Sequence, residues 1–434
     1  MKKIIFTLLI LLTLIVSCVK EPTKVEIKKT EKGYQLFRNG KPFYIKGAGG
    51  SGDLKTLTEY GGNSIRTWGT DDWEETFKIA EKYGLTVFAG LWLDQERQGF
   101  DYNDSVAVNK QFESFKEAIL KYKDHPALLI WGVGNELDLR YTNKNVWDAV
   151  EQVAKFIHEV DGNHPVTTTT AFIEKEEVEL IKAKCPHIDL LCINAYAGLP
   201  VISGYLKDFG WDGPYILGEW GTFGHWEVPK TKWAEPIEFT STKKAELYDR
   251  TYKEYIVKEQ NCIGAYVFLW GTKQERTSTW YGMFLPDGEK TEAVDVVHNL
   301  WKGEFPENRS PRLDSLHIDG ANAYSSVALE PGSTHNVMVY SVDPENDELK
   351  IVWEILEETT DKRTGGDEEE EPPAVEELII KSEKSSITFK APYDKGPYRL
   401  FVYVYDQKGS GAHANIPFYV KNAEDNFGLL EMEK

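Results

Sequence analysis

Two apolar runs each end in a single glutamate: Trp131-Gly-Val-Gly-Asn135-Glu136 and, 83 positions later, Tyr215-Ile-Leu-Gly218-Glu219-Trp220-Gly221. A strand that buries its body and offers a carboxylate at its C-terminal end is how a parallel barrel furnishes a reactive face. Two such carboxylates are the groups that cleavage of a glycosidic bond requires. One must hold a proton for the leaving oxygen, so burial and a nearby negative charge must raise its pKa. The other must stay ionised to attack or to activate water.

The elements that would carry these groups are legible as an alternation of apolar runs and helical patterns between Phe43 and Trp270. Eight strand-like runs stand out: Phe43–Gly47, Asn63–Trp68, Leu85–Trp92, Leu128–Asn135, Pro165–Thr170, Ile188–Tyr196, Tyr215–Glu219 and Ile263–Trp270. Between them, Val108, Phe112, Phe115 and Ile119 recur at helical spacing, as do Val146, Trp147, Val150, Val153, Ala154 and Ile157. Glu292–Trp301 supplies a last helix. Buried strands, each followed by a helix, predict an α/β fold, a (β/α)8 TIM barrel over residues 34–305. An open doubly wound sheet is the alternative, but no glycine-rich phosphate fingerprint follows the first strand. In the barrel, strands four and seven face each other, which puts Glu136 and Glu219 on opposite sides of a bound sugar.

Asn135-Glu136 after strand four and Glu219 after strand seven resemble the pattern of clan A glycoside hydrolases, retaining β-glycosidases on (β/α)8 barrels. The resemblance implies that Glu136 is the general acid/base and Glu219 the nucleophile. It implies that Arg66, in Asn63-Ser-Ile-Arg-Thr-Trp68, supports the nucleophile, and that Asn135 binds the sugar 2-hydroxyl. Tyr196, in Ile193-Asn-Ala-Tyr196, would hydrogen-bond the nucleophile, and Trp270 would floor the subsite. The chain's layout is most similar to the endo-β-1,3-glucanases of glycoside hydrolase family 158. That similarity implies hydrolysis of laminarin-type β-1,3-glucan by double displacement. Families 2, 5 and 72 share the same strand-end residues. They leave exo-β-glycosidase, β-mannanase, cellulase or transglycosylase activity as alternatives, and a non-catalytic surface glycan-binding protein is the alternative of another class.

Further candidates lie on the loops of the same face: Trp68, Trp92, Asp94, Glu96, Trp220, His225, Trp226 and Trp280. Exposed tryptophans stack on sugar faces, although many of the 13 Trp residues must pack the core. No metal-ligand spacing occurs, so neither a metal nor a cofactor is expected. The formal charge of −20 disfavours nucleic acid and anionic membrane surfaces but not a polysaccharide or oligosaccharide.

After Pro311 the texture changes to short alternating runs: Asn336–Val342, Lys350–Ile355, Ser386–Lys390, Tyr398–Tyr405 and Asn415–Val420, separated by turn residues. They predict a small all-β, immunoglobulin-like sandwich over residues 312–434, joined by a linker at 306–311. A rigid spacer is its expected role. The acidic stretch Thr364-Gly-Gly-Asp-Glu-Glu-Glu-Glu-Pro-Pro373 is expected to be a solvated loop. At the other end, Lys2, Lys3 and the apolar run Ile4–Val16 lead into Ile15-Val16-Ser17-Cys18. Residues 1–18 therefore resemble a lipoprotein signal peptide with Cys18 as the lipidated residue, followed by a tether at 19–33. The resemblance implies a chain lipid-anchored in a bacterial cell envelope, expected at the outer membrane surface, with the leaflet left open, and touching the membrane only through its lipid. Cys185, Cys192 and Cys262 are expected to be free, buried thiols.

Overall fold

The protein is described from a computed structural model covering residues 23–427. The segment expected to be a signal peptide, with Cys18, lies outside the described residues. Eight parallel strands close into a barrel in sequential order: β1 (Ile45–Gly49), β2 (Ser64–Arg66), β3 (Thr86–Leu91), β4 (Leu128–Asn135), β5 (Val166–Thr170), β6 (Leu190–Asn194), β7 (Tyr215–Trp220) and β8 (Cys262–Phe268). Eight helices surround them: α1 (Leu54–Glu59), α2 (Trp73–Tyr83), α3 (Ser105–Tyr122), α4 (Val146–Val160), α5 (Lys175–Lys184), α6 (Ile202–Asp208), α7 (Ser241–Thr251) and α8 (Glu292–Lys302). Each run expected as a barrel strand forms one, shifted at the ends by a residue or two.

The helical spacing of α4 does what it predicts. Val146, Trp147, Val150, Val153, Ala154 and Ile157 are all buried against the sheet. Each large apolar side chain buried this way contributes about 1.5–3 kcal/mol. Inside the barrel, Phe88, Ile130, Leu190, Cys192, Ile216 and Tyr266 pack together. Gly47 makes room for them, because a Cβ there would stand 2.2 Å from the Tyr266 ring. Cys185, Cys192 and Cys262 are free and buried.

The expected tether at 19–33 is instead partly structured. Val25–Thr30 and Gly33–Arg38 pair antiparallel, and Lys41–Phe43 adds a third strand. The reason is an apolar face: Val25 and Leu36 join the barrel's interior cluster, with Ile27 and Tyr34 packed against it. The Val25 amide donates to the Asn163 carbonyl just before β5 (2.8 Å), so this sheet sits under the end of the barrel opposite Glu136.

The C-terminal unit is a sandwich of two four-stranded sheets. Its strands are β9 (Arg312–Ile318), β10 (Val327–Leu329), β11 (Thr334–Val342), β12 (Lys350–Glu357), β13 (Ile379–Ser382), β14 (Ser386–Lys390), β15 (Gly396–Tyr405) and β16 (Gly411–Val420). The sheet orders are β9-β11-β14-β13 and β10-β16-β15-β12. Leu313, Val337, Ile387 and Phe389 meet Leu400, Val402, Ile416 and Phe418 between them.

Barrel and sandwich share buried groups. The long excursion after β7 sends Ile237 into the sandwich core. Beside it, the fully buried Glu238 accepts from Lys244 of α7 (2.5 Å), Thr277 (2.7 Å), Thr279 (2.9 Å) and Asn415 of β16 (2.5 Å). Burial pushes the Glu238 carboxyl up, but Lys244 and its other partners overcome this and hold it down at about 2. Its contribution is therefore complete above the ordinary glutamate range and is lost as the pH falls toward 2. Truncating Lys244→Ala would leave that charge buried without its cation. We expect a loss of about 3–5 kcal/mol, read as a lower urea midpoint; an unchanged midpoint would mean the ion pair does not hold the interface.

Candidate active site

Glu136 and Glu219 stand at the same mouth of the barrel, at the C-terminal ends of β4 and β7. At the end of β4 the chain turns sharply: Gly134 has φ +77° and Glu136 φ +50°. A left-handed backbone at a non-glycine residue costs about 1–3 kcal/mol and persists only where its surroundings enforce it. Here the Glu136 amide donates to the Thr169 carbonyl of β5 (2.9 Å), and Asn194 Nδ2 of β6 donates to Glu136 Oε1 (2.7 Å). Glu219 is placed by alternation, since successive strand residues face opposite ways.

Arg66, at the end of β2, is only 2% exposed and ties these strands together. Its Nη1 donates to Glu219 Oε1 (3.1 Å) and Asn194 Oδ1 (3.1 Å), and its Nη2 to Asn135 Oδ1 (2.6 Å) and Thr169 Oγ1 (3.4 Å). The guanidinium lies 5.2 Å from the Trp68 ring and 5.3 Å from that of Phe88. Gly218 gives it space, because a Cβ there would come within 2.8 Å of Arg66 Nη1. Glu219 takes two more donors: Trp68 Nε1 to Oε1 (3.0 Å) and Tyr196 Oη to Oε2 (2.8 Å). Burial and the neighbouring Glu219 and Tyr281 push the Tyr196 phenol far up, which keeps its proton available for donation.

The two carboxyls thus differ in surroundings. Glu219 receives three donors, one of them a guanidinium, whereas Glu136 has the single Asn194 amide. Burial first, and then the charge of Glu219, push Glu136 up to about 8. At neutral pH it holds a proton while facing an acceptor carboxylate, the division of labour that acid-assisted displacement needs.

Both groups line a cavity of about 260 Å³ with Trp68, Trp92, Asn135, Tyr196 and Trp226. Trp226, 56% exposed, stands edge-on to Tyr196 at the rim. A larger hollow of about 540 Å³ lies on the sandwich around His317, Asn336, Tyr340 and Lys381, and its two carboxylates, Asp319 and Glu383, are taken up by His335 (2.6 Å) and Lys381.

Three residues expected at the cleft stand behind it. Trp220 follows Glu219 and so points outward, against Tyr248 and Tyr252 of the α7 segment. Trp270 is fully buried, donates to the Asp53 carbonyl (3.1 Å) and packs on Phe284; Phe268 and Leu269 face the cavity in its stead. His225 backs Trp226 and Glu275, and burial beside Arg276 pushes it down to about 3, leaving it neutral. Of the looser candidates, Glu96 caps Thr142 and Asn143, Asp94 is exposed outside the cavity, and Trp280 donates to the Phe223 carbonyl. Asn194, Lys273, Glu275 and Tyr281 were not singled out from sequence. Asn194 carried a signal, as a polar residue ending a buried strand two places before Tyr196. Among the described residues, one acidic trio has metal-holding spacing, Asp343, Glu345 and Asp347; it lies on the sandwich, where Lys408 already donates to Asp347 (2.5 Å).

Part of the chain is similar to known proteins. The family described as "Glycosyl hydrolases family 2, TIM barrel domain" matches residues 30–220, from the N-terminal sheet through β7. The chain is 26% identical over 183 residues to human (Homo sapiens) β-glucuronidase, covering 37% of this chain and 26% of that protein. It is 23% identical over 270 residues to the pig (Sus scrofa) β-glucuronidase, covering 52% and 38%. The chain therefore spans well under half the length of these relatives. Among solved structures, a β-D-glucuronidase from Dictyoglomus thermophilum matches with TM-score 0.52 and 20% identity over 66% of this chain and 54% of that one. A calcium-binding mutant of Bacteroides uniformis β-glucuronidase 2 matches with TM-score 0.52 and 13% identity over 92% and 48%. The solved structures speak of the fold alone, and the family model that matches over residues 30–220 is that of family 2, where the layout had suggested family 158.

Because Glu136 titrates high, a carboxyl signal assigned to it by difference from Glu136→Gln should remain that of a protonated acid at pH 7. It should ionise only as the pH approaches 8, and earlier in Glu219→Gln, where the neighbouring charge is gone. Infrared difference spectra would read this, and an ordinary glutamate titration in both proteins would refute the assignment.

Proposed function

We propose that the chain is a retaining β-glycosidase of the clan A type. The observation that carries this is the facing pair, Glu136 and a multiply hydrogen-bonded Glu219, across one sugar-sized cavity. In the proposed reaction the Glu136 proton passes to the glycosidic oxygen while a Glu219 oxygen attacks the anomeric carbon. The C–O bond to the leaving group breaks and a glycosyl ester forms on Glu219. Water, deprotonated by the now ionised Glu136, then attacks the same carbon and frees Glu219, so the anomeric configuration is retained. Asn135 spends its carbonyl oxygen on Arg66, which leaves its amide nitrogen to donate to the sugar 2-hydroxyl. Trp226 and Trp92 offer apolar faces for the ring.

We read the sugar as neutral. The charged groups of the wall are already matched: Arg66 with Glu219, Arg97 with Asp367, and Lys273 with Glu275. A uronate carboxylate would enter without a free cation to meet it. A β-linked glucan of laminarin type fits this reading. A β-glucuronide is the second reading, favoured by the names of the relatives and by Lys273 in the cavity wall, and it requires Lys273 to leave Glu275. The test uses 4-nitrophenyl β-glycosides. We expect the β-glucoside to exceed the β-glucuronide in kcat/KM by about 100-fold, the scale of about 3 kcal/mol for one unmatched charge. The reverse order would replace the neutral reading with the second. Glu219→Ala should lose at least about 10⁴-fold in kcat, with azide restoring turnover as an α-glycosyl azide; full activity in that variant would sink the assignment.

Anchoring through a lipid on Cys18 also belongs to this proposal. Cys18→Ser should move the protein from the membrane to the soluble fraction and abolish palmitate labelling; unchanged fractionation and labelling would remove the anchor.

A further inference from the structure

The acidic stretch at 364–373 is solvated only in part: Glu368, Glu370 and Glu371 are exposed, whereas Asp367 and Glu369 turn onto the barrel. It leaves the sandwich after β12 and crosses the barrel mouth. On one side Arg97, in the loop after β3, donates from Nη1 to Asp367 Oδ2 (2.7 Å) and to the Thr364 carbonyl (2.8 Å), and from Nη2 to Asp367 Oδ1 (3.0 Å). Gln98 adds a bond to Asp367 (2.9 Å). On the other side, in the loop after β8, Lys273 donates to the Gly366 carbonyl. There the Arg276 amide donates to Glu369 Oε2 (2.6 Å), its guanidinium pairs with Glu369 Oε1 (3.0 Å), and its Nη2 reaches the Arg363 carbonyl (3.1 Å). Glu369 is 4% exposed.

The stretch is shaped for close approach. Gly365 (φ +70°) and Gly366 (φ +72°) both take the left-handed backbone, and a Cβ on Gly365 would come within 2.8 Å of Leu139 and 2.9 Å of Arg97. Between these two anchorages Gly365, Gly366 and Asp367 form a wall of the same cavity that holds Glu136 and Glu219. A groove for the middle of a polymer must be open at both ends. Here a strap from the second domain lies across the mouth, and the cavity of about 260 Å³ falls below the 300–1,000 Å³ usual for ligand pockets.

We propose that the Thr364–Glu369 strap of the sandwich is a specificity-determining wall of the site, which restricts it to the terminal sugar of a β-linked chain. This rests on the reading of the site as a β-glycosidase, and it replaces the expected endo action with action at chain ends. The strap does not touch the carboxylates, so it sorts substrates by length and not by reactivity.

The test compares the full-length protein with Arg97→Ala/Asp367→Ala and with a variant in which 364–368 is replaced by a two-residue Gly-Ser link. The substrates are a 4-nitrophenyl β-glycoside and a soluble polymer of the sugar it reports. We expect the parent protein to release one small product from the polymer without an early fall in viscosity. Relative to its own turnover of the aryl glycoside, each variant should gain cleavage of internal bonds, with viscosity falling about tenfold faster or more, the scale of relieving one steric misfit in a binding site. Acrylamide quenching of tryptophan fluorescence should rise in both variants as Trp68, Trp92 and Trp226 become more accessible. A parent protein that cuts internal bonds, or folded variants with parental products and quenching, would overturn the proposal. If no β-glycoside is turned over at all, the glycosidase reading fails, while the quenching comparison still decides whether the strap covers the cavity.

Discussion

One buried guanidinium organises the end of the barrel that carries Glu136 and Glu219. Arg66 reaches from β2 to β4 through Asn135, to β5 through Thr169, to β6 through Asn194 and to β7 through Glu219. A cation 98% removed from solvent is stable only if its donors are met, and removing one partner of such a network costs far more than one exposed hydrogen bond. The same network that satisfies Arg66 fixes the rotamer of Glu219 and orients the two asparagines. Packing and chemistry therefore impose the same demand on five strands. The difference between the two carboxyls follows from it, because the cation's direct bond goes to Glu219 while Glu136 receives only the Asn194 amide.

Most of the barrel was legible because two periodicities, 2 and 3.6, are written directly into buried strands and one-sided helices. The site was legible where a polar residue closed an apolar run, as for Arg66, Asn135, Glu136, Tyr196 and Glu219. Trp220 was also within reach: its neighbour Glu219 faces inward, so alternation sends it outward. Trp270 was not, because the chain after Phe268 leaves the strand and its direction is set by contacts with Asp53 and Phe284. The N-terminal sheet was read as a tether because its short alternation, Val25 and Ile27, means little until a barrel floor exists to bury it.

The acidic stretch failed as a sequence reading for a different reason. A run of Asp and Glu is ordinarily solvated, and nothing local distinguishes one that meets Arg97, Lys273 and Arg276 across more than 90 intervening residues. Those partners are themselves loop residues, without a period. The docking of the sandwich on the barrel, through Ile237 and Glu238 and through pairs such as Arg312 with Glu292, brings the two sets together. The second domain takes Ile237 of the first into its core, shares ion pairs with it and adds a wall to its cavity.

That sharing has a consequence for the order in which the molecule comes into being. Synthesis runs from the N-terminus, and domains fold as they emerge. Glu136, Glu219 and Arg66 are all present once β8 has been made, but the cavity still lacks a wall. The strap follows β12, and the strands that join the sandwich to the barrel through Arg399 and Asn415, β15 and β16, are the last of the described elements to be made. A newly made barrel therefore passes through a stage with an open mouth, and its final specificity dates from the closing of the second domain.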